Sequence, residues 1–273
     1  MKNRFLLLAA VFFAGNAFAG AVIEVKTTEF HTDPPIVGKV IMTTRDESSR
    51  LEVMSVSSKE AGAMIFNGER KEMMAIDYEN RQFVRMNQEQ MNALAAQVEA
   101  AIAEMEAMLA AMPPEQQEFA REMMKQNMPE SVRKADLGEL VAAGKSDVFG
   151  GLECQWYNLV ENGRTIRDVC ITEWDDFPEG KAIANALGTL GEFFDDMREA
   201  FSAAGGMAAM DRQEDMFAHM KELGGYPIRS RDYDAEGNVT IDSELVSAGP
   251  VDVQDAAFEA PEGFTEHVIP TMP

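Results

Sequence analysis

Residues 82–112 read QFVRMNQEQMNALAAQVEAAIAEMEAMLAAM, and the fold class turns on a change inside that stretch. Up to Met86 the chain reads as the last of a run of short strands, with side chains on a period of two. Beyond Asn87 the spacing switches. Met91, Leu94, Val98, Ile102, Met105, Leu109 and Met112 recur every three or four residues, with Glu99 and Glu106 outside the stripe. That is one apolar face on an amphipathic helix. A strand therefore feeds directly into a helix, and Pro113-Pro114 stops it and opens another, striped by Phe119, Met123, Met124 and Met128.

Upstream, the chain reads as a meander of short antiparallel strands: Val22 to Phe30, Ile36 to Thr44, Arg50 to Val56, Met64 to Phe66, Lys71 to Asp77 and Gln82 to Met86. Asp33-Pro34-Pro35, Asn67-Gly68 and Tyr78-Glu79-Asn80-Arg81 mark the turns between them. Downstream, strands resume at Val148-Phe149 and continue through a hairpin. A second helical block follows Pro178, striped by Ile183, Leu187, Leu190, Phe194, Met197 and Phe201. Gly188 and Gly191 beside that stripe permit close backbone approach at some cost in helix propensity. Gly205-Gly206 breaks the block, Met207 to Leu223 carry a further helix, and Gly224-Gly225 end it. Strands at Pro227 to Tyr233 and Val239 to Val246 and a short apolar tail close the chain. The expected architecture is α+β: a curved antiparallel sheet covered on one face by two helical insertions.

Cys154 and Cys170 are the whole thiol inventory. They flank Glu161-Asn162-Gly163-Arg164, a hairpin signal, so they read as one disulfide across two strands. A three-residue loop of Glu161, Asn162 and Gly163 would set them directly opposite each other. Closing such a loop contributes about 3 kcal/mol. No Cys-x-x-Cys spacing or basic flank supports the redox alternative.

The N-terminus has Lys2 and Arg4, an uncharged run from Phe5 to Ala14, and Ala17-Phe18-Ala19 before Gly20. That is the layout of a secretory leader over residues 1–19. The reading is an exported, soluble periplasmic chain, with residues 20–273 forming a single α+β domain and no stable membrane insertion. The formal charge of −23 becomes −25 when Lys2 and Arg4 leave with the leader. A polyanion of that strength is repelled by nucleic acid and anionic headgroups.

Three short elements carry a resemblance. Gly151-Leu152-Glu153-Cys154-Gln155-Trp156-Tyr157, Gly225-Tyr226-Pro227-Ile228-Arg229 and Phe258-Glu259-Ala260-Pro261-Glu262-Gly263-Phe264 resemble motifs of a family of exported bacterial domains of unknown function. That family looks like a distant relative of the LolA/LolB lipoprotein carriers. The resemblance implies a half-barrel of antiparallel strands lidded by helices over an apolar cavity. It implies no function, because sites rather than folds set function.

Methionine is the compositional outlier, with 20 in 273 residues. Flexible core packing, an adaptable apolar groove and thioether binding of Cu(I) all use it. The helical methionines follow core spacing, which argues against copper. Gly138 to Ser146 has five residues between its glycines where a phosphate loop needs four. Asp232 to Asn238 imitates the start of a calcium loop, but its later positions are wrong and strand-like residues flank it. It reads as a hairpin turn. His31, His219 and His267 lie far apart in no metal spacing, and no nucleophile elbow is present.

No catalytic residue, metal ligand or cofactor is named from the sequence. The expected function is a non-enzymatic envelope protein that holds a lipid, an acyl chain or an apolar protein segment between sheet and lid helices. Its groove would be lined by Met91, Leu94, Val98, Ile102, Met105, Leu109, Leu187, Leu190, Phe194, Met197 and Phe201. Pro113-Pro114 and Gly205-Gly206 are the candidate hinges. The alternatives are a protein-interaction module or methionine-based copper handling.

Overall fold

The computed structural model describes residues 19–55, 60–113, 116–117, 138–201 and 220–268. Among them a single sheet of 12 strands forms in the order β12-β6-β5-β4-β3-β2-β1-β11-β10-β9-β8-β7. The first meander comprises β1 (Ala19–Glu29), β2 (Ile36–Arg45), β3 (Ser48–Ser55), β4 (Glu60–Asn67), β5 (Glu72–Asp77) and β6 (Gln82–Asn87). The second comprises β7 (Glu139–Phe149), β8 (Leu152–Glu161), β9 (Arg164–Glu173), β10 (Gly225–Tyr233) and β11 (Val239–Asp252). β1 pairs with β11 and joins the two meanders at mid-sheet. The sheet is open and curved, not closed into a barrel, and the fold is α+β.

Two long helices are described. α1 (Gln88–Ala110) follows β6 without a loop, and α2 (Gly180–Phe201) follows β9 after a tight corner. Asn87 starts α1 cleanly. Its side chain accepts from the Gln90 backbone N–H, and the Gln90 side chain accepts from the Asn87 N–H. This reciprocal pair satisfies two amides that the first turn leaves unbonded. At the α2 corner Gly180 is required. A Cβ there would sit 2.0 Å from the Trp174 carbonyl oxygen.

α2 covers β1, β2 and β3. Ala21, Ile23, Met42 and Phe66 meet Ile183, Leu187, Leu190, Phe193, Phe194 and Met197 in one apolar cluster, and Phe66 and Phe193 stack at 5.1 Å. The same cluster takes in Cys154, Trp156 and Cys170, and beside them Trp174, Phe177 and Tyr226 pack as a trio of rings. Strand alternation sends Ile65, Met74, Ile76 and Phe83 to the opposite face. There the C-terminal tail covers them. A 3-10 turn (Asp255–Phe258) inserts Phe258, and Tyr78 meets the Phe264 ring edge-on at 5.9 Å. Arginines strap the tail down: Arg45 donates to the Val253 carbonyl, Arg50 to the Ala257 carbonyl, and Arg70 to both oxygens of Glu259. β12 (Thr265–Glu266) then adds parallel to β6.

Several sequence expectations change. The sheet is not antiparallel throughout, because of β12. Its second face is covered in part, because the tail crosses to the β4–β6 side that the helices leave bare. β7 spans eleven residues where the sequence marked only Val148-Phe149, since its alternation is interrupted by a bulge at 143–145. The cysteines do form the expected disulfide, but they are not directly opposite. Asn162 and Gly163 both take positive φ and make a two-residue turn, and Ile166 is absorbed as a bulge. Cys170 therefore faces Trp156, and Cys154 lies two residues along on the same side of β8. The extra residue moves the pairing by one, and that brings Cys170 onto the same face of the hairpin as Cys154. Gly188 is exposed and a Cβ there would meet nothing, so it makes no close approach. The helix expected at 119–128 and the Gly205-Gly206 hinge lie outside the described residues, as does Pro114. Of the stretch from Met207 to Leu223, only 220–223 are described, as the end of a helix with Met220 buried.

Candidate functional site

The residues expected to line a groove divide into two sets with different surroundings. On α2, Leu187, Leu190, Phe194 and Met197 are all buried against the sheet, together with Ile183, Ala186 and Phe193. Fully burying side chains of this size contributes about 1.5–3 kcal/mol each. The side chain of Phe201 lies outside the described set. This stripe is the core of the molecule. Phe193 was missed by the sequence reading because the three-four spacing selects Phe194, and here adjacent phenylalanines both go in, their rings 6.2 Å apart.

α1 behaves differently along its length. Met91 and Ala95 are buried, and Leu94 and Val98 are half-buried against the same cluster. Further on, Met105 is half-buried, and Leu109 is buried but belongs to neither apolar cluster. Met108 and Met112 are 56% and 39% exposed. The side chain of Ile102 lies outside the described set. Among the described elements α1 packs mainly on α2 and β6. Its main contact with the sheet, among the described residues, is at the strand from which it grows.

A second candidate region lies across β7 to β11. The register sets Trp156, Cys170, Arg229 and Glu244 abreast. Arg229 is bonded to Asp242 and Glu244 and its guanidinium lies over Phe149. Lys145 from the β7 bulge and Arg231 both lie over the Trp156 ring, at 4.8 and 5.7 Å. Tyr233 donates to Asp168 at 2.7 Å. Each of these cations has a carboxylate or an aromatic face as partner, so the region ties strands together and blunts the sheet edge at β7.

The resolved pKa shifts all run away from neutrality. Burial pushes the Tyr226 hydroxyl up to about 12. Burial and the bond to Asp168 raise Tyr233. Hydrogen bonds from Asn80 and Asn238 hold Asp77 and Asp234 below the usual carboxylate range. The Asp234 bonds also close the turn that imitates a calcium loop. Among the described residues no group of three or more His, Cys, Asp or Glu side chains could hold a metal ion, and no helix is long and apolar enough to cross a membrane.

No family model matches the chain, and no curated protein matches it. Solved structures share the chain path at low similarity. A conserved protein from Thermus thermophilus aligns with a TM-score of 0.42 at 10% identity, over 93% of this chain and 92% of that one. PNGF-II aligns at 0.37 and 9% identity, over 92% of this chain but 31% of its own. MucB of Pseudomonas aeruginosa, solved with MucA, aligns at 0.35 and 7% identity, over 90% of this chain and 56% of that chain. At these values no residue role carries over from any of them.

Proposed function

We propose that this chain is a non-catalytic binding protein of the cell envelope that takes an apolar ligand beneath α1. The ligand is an acyl chain or an apolar protein segment. Leu109 would contact it, and α2, with Met91, Leu94 and Val98 packed on it, would stay in place as the fixed wall. One observation supports this above the others: α2 is covered by sheet along its described stripe, whereas among the described residues α1 joins the apolar clusters through its N-terminal half. Among the described residues the distal half of α1 contributes to neither apolar cluster, which leaves room in the reading for a ligand to meet the buried Leu109 there. Its burial gains roughly 25 cal/mol per Å² before ordering costs are subtracted. Export is supported by the leader-like residues 1–19 and by the disulfide, which persists in oxidising compartments.

The test is native mass spectrometry of the chain recovered from a bacterial periplasm, followed by solvent extraction and reloading with oleate and with phosphatidylglycerol. Bound lipid that solvent removes, and that reloads one per chain, supports the reading. A bare chain that takes up neither probe overturns it.

A further inference from the structure

The exposed methionines of α1 have no packing duty to explain them. Met42, Met74, Met91, Met197 and Met220 are buried core residues. Met108 and Met112 are exposed, and Met105 is half-buried. Met105 and Met108 stand on α1, and Met112 stands one residue past its C-cap Ala111, where its N–H still donates to the Leu109 carbonyl and keeps the chain near the helical path, so the three fall at i, i+3 and i+7. At about 100° per residue they occupy roughly 60° of the helix circumference. Neighbours three and four apart have Cβ atoms about 5–6 Å apart. A thioether on an unbranched side chain with three free torsions can turn toward a common point. Three such sulfurs around one point make a neutral, soft donor set, the kind that selects Cu(I) over harder ions.

We infer that Met105, Met108 and Met112 form a surface site for a single Cu(I) ion, or for a soft monovalent ion of the same chemistry such as Ag(I). The site does not depend on the apolar-ligand reading. It uses the solvent flank of the distal helix, and the sulfurs bind by lone-pair donation with no change in oxidation state. The acidic surface raises the local concentration of any cation, but carboxylates are hard donors and do not compete for this one. The sequence reading keeps copper handling as an alternative and weighs against it the core spacing of the helical methionines and the lack of a dense Met-x-x-Met tract with neighbouring His; the first of these is the objection the structure bears on. The exposure of Met108 and Met112 removes that objection.

The experiment is a competition titration of the leaderless chain for Cu(I) against bicinchoninate, with ascorbate holding the metal reduced. The wild type should withdraw a single Cu(I), and X-ray absorption should show a sulfur shell. The triple variant Met105→Leu, Met108→Leu, Met112→Leu keeps apolar volume and helix propensity. It should bind at least about tenfold more weakly, with unchanged far-ultraviolet circular dichroism. A wild type that cannot compete, a nitrogen- or oxygen-dominated shell, or a triple variant that binds like the wild type would each overturn the site. If the triple variant loses helicity, the single exposed replacements Met108→Leu and Met112→Leu decide, and both binding normally counts against it. Oleate uptake by the double variant Met108→Leu, Met112→Leu, which leaves Met105 in place, should be unchanged, so failure of the metal site and failure of the apolar-ligand reading are seen separately.

Discussion

α1 and α2 are nearly the same length, 23 and 22 residues, and each has one apolar stripe read from the same spacing. They nonetheless do different things. α2 lies across three strands and buries its stripe among Ala21, Ile23, Met42 and Phe66. Among the described residues α1 shares Met91, Leu94, Ala95 and Val98 with that core, and then carries Met108 and Met112 into solvent. Amphipathic spacing states which side chains want cover. It does not state what supplies the cover, and that difference separates a structural wall from a candidate lid.

The largest effect should come from opening the wall. Phe193→Ala removes a fully buried ring stacked on Phe66. It should lower unfolding free energy by about 3–5 kcal/mol, read as a fall in the urea midpoint. A loss under about 1 kcal/mol would mean that α2 is not the core helix described here, and the contrast with α1 would disappear.

Next comes the anchor of the sheet beneath the α2 corner. Replacing Cys154 and Cys170 together with alanine opens a loop of 16-residue separation. The cost should be about 3 kcal/mol, measured as the difference in denaturation midpoint between the two proteins under oxidising conditions. The direction matters to the comparison. The pair belongs to the cluster that holds α2, so the amides of 183–197 should exchange faster in the variant, whereas those of 99–110 should already exchange fast in the wild type. Equal protection of both helices in the wild type would erase the distinction between wall and lid.

Much of this was legible before any coordinates. Local pattern located ten of the strands, β4 and β11 only in part, and both described helices, since alternation and helical spacing are properties of short windows. The disulfide partners followed from there being two cysteines beside a hairpin signal. What failed was non-local. The Ile166 bulge shifted the cysteine register because nothing in the hairpin's own sequence says where an extra residue will be absorbed. The tail's role was hidden because Phe258 to Phe264 has no periodicity of its own; its partners, Ile65, Met74 and Phe83, lie some 180 residues away. The residues chosen for a groove came from apolar helix faces, and the α2 set proved to be core. The β7 to β11 row of Trp156, Arg229 and Arg231 went unremarked because its members come together only through strand pairing.

The smallest effect is also the most local, and it probes α1 alone. Asn87 and Gln90 form the capping box that starts this helix, through hydrogen bonds exposed to solvent. Asn87→Ala leaves the Gln90 N–H without its acceptor and should cost about 1 kcal/mol. If α1 and the sheet unfold as one unit, that whole cost should appear in the urea midpoint. If α1 opens by itself, as its thin attachment implies, the midpoint should barely move and the loss should appear instead as faster exchange confined to α1. The same variant should then load oleate more quickly than the wild type, because the element that must lift is already loosened. Slower or unchanged loading alongside faster exchange would separate mobility of α1 from ligand entry, and would leave α1 a frayed helix and not a lid.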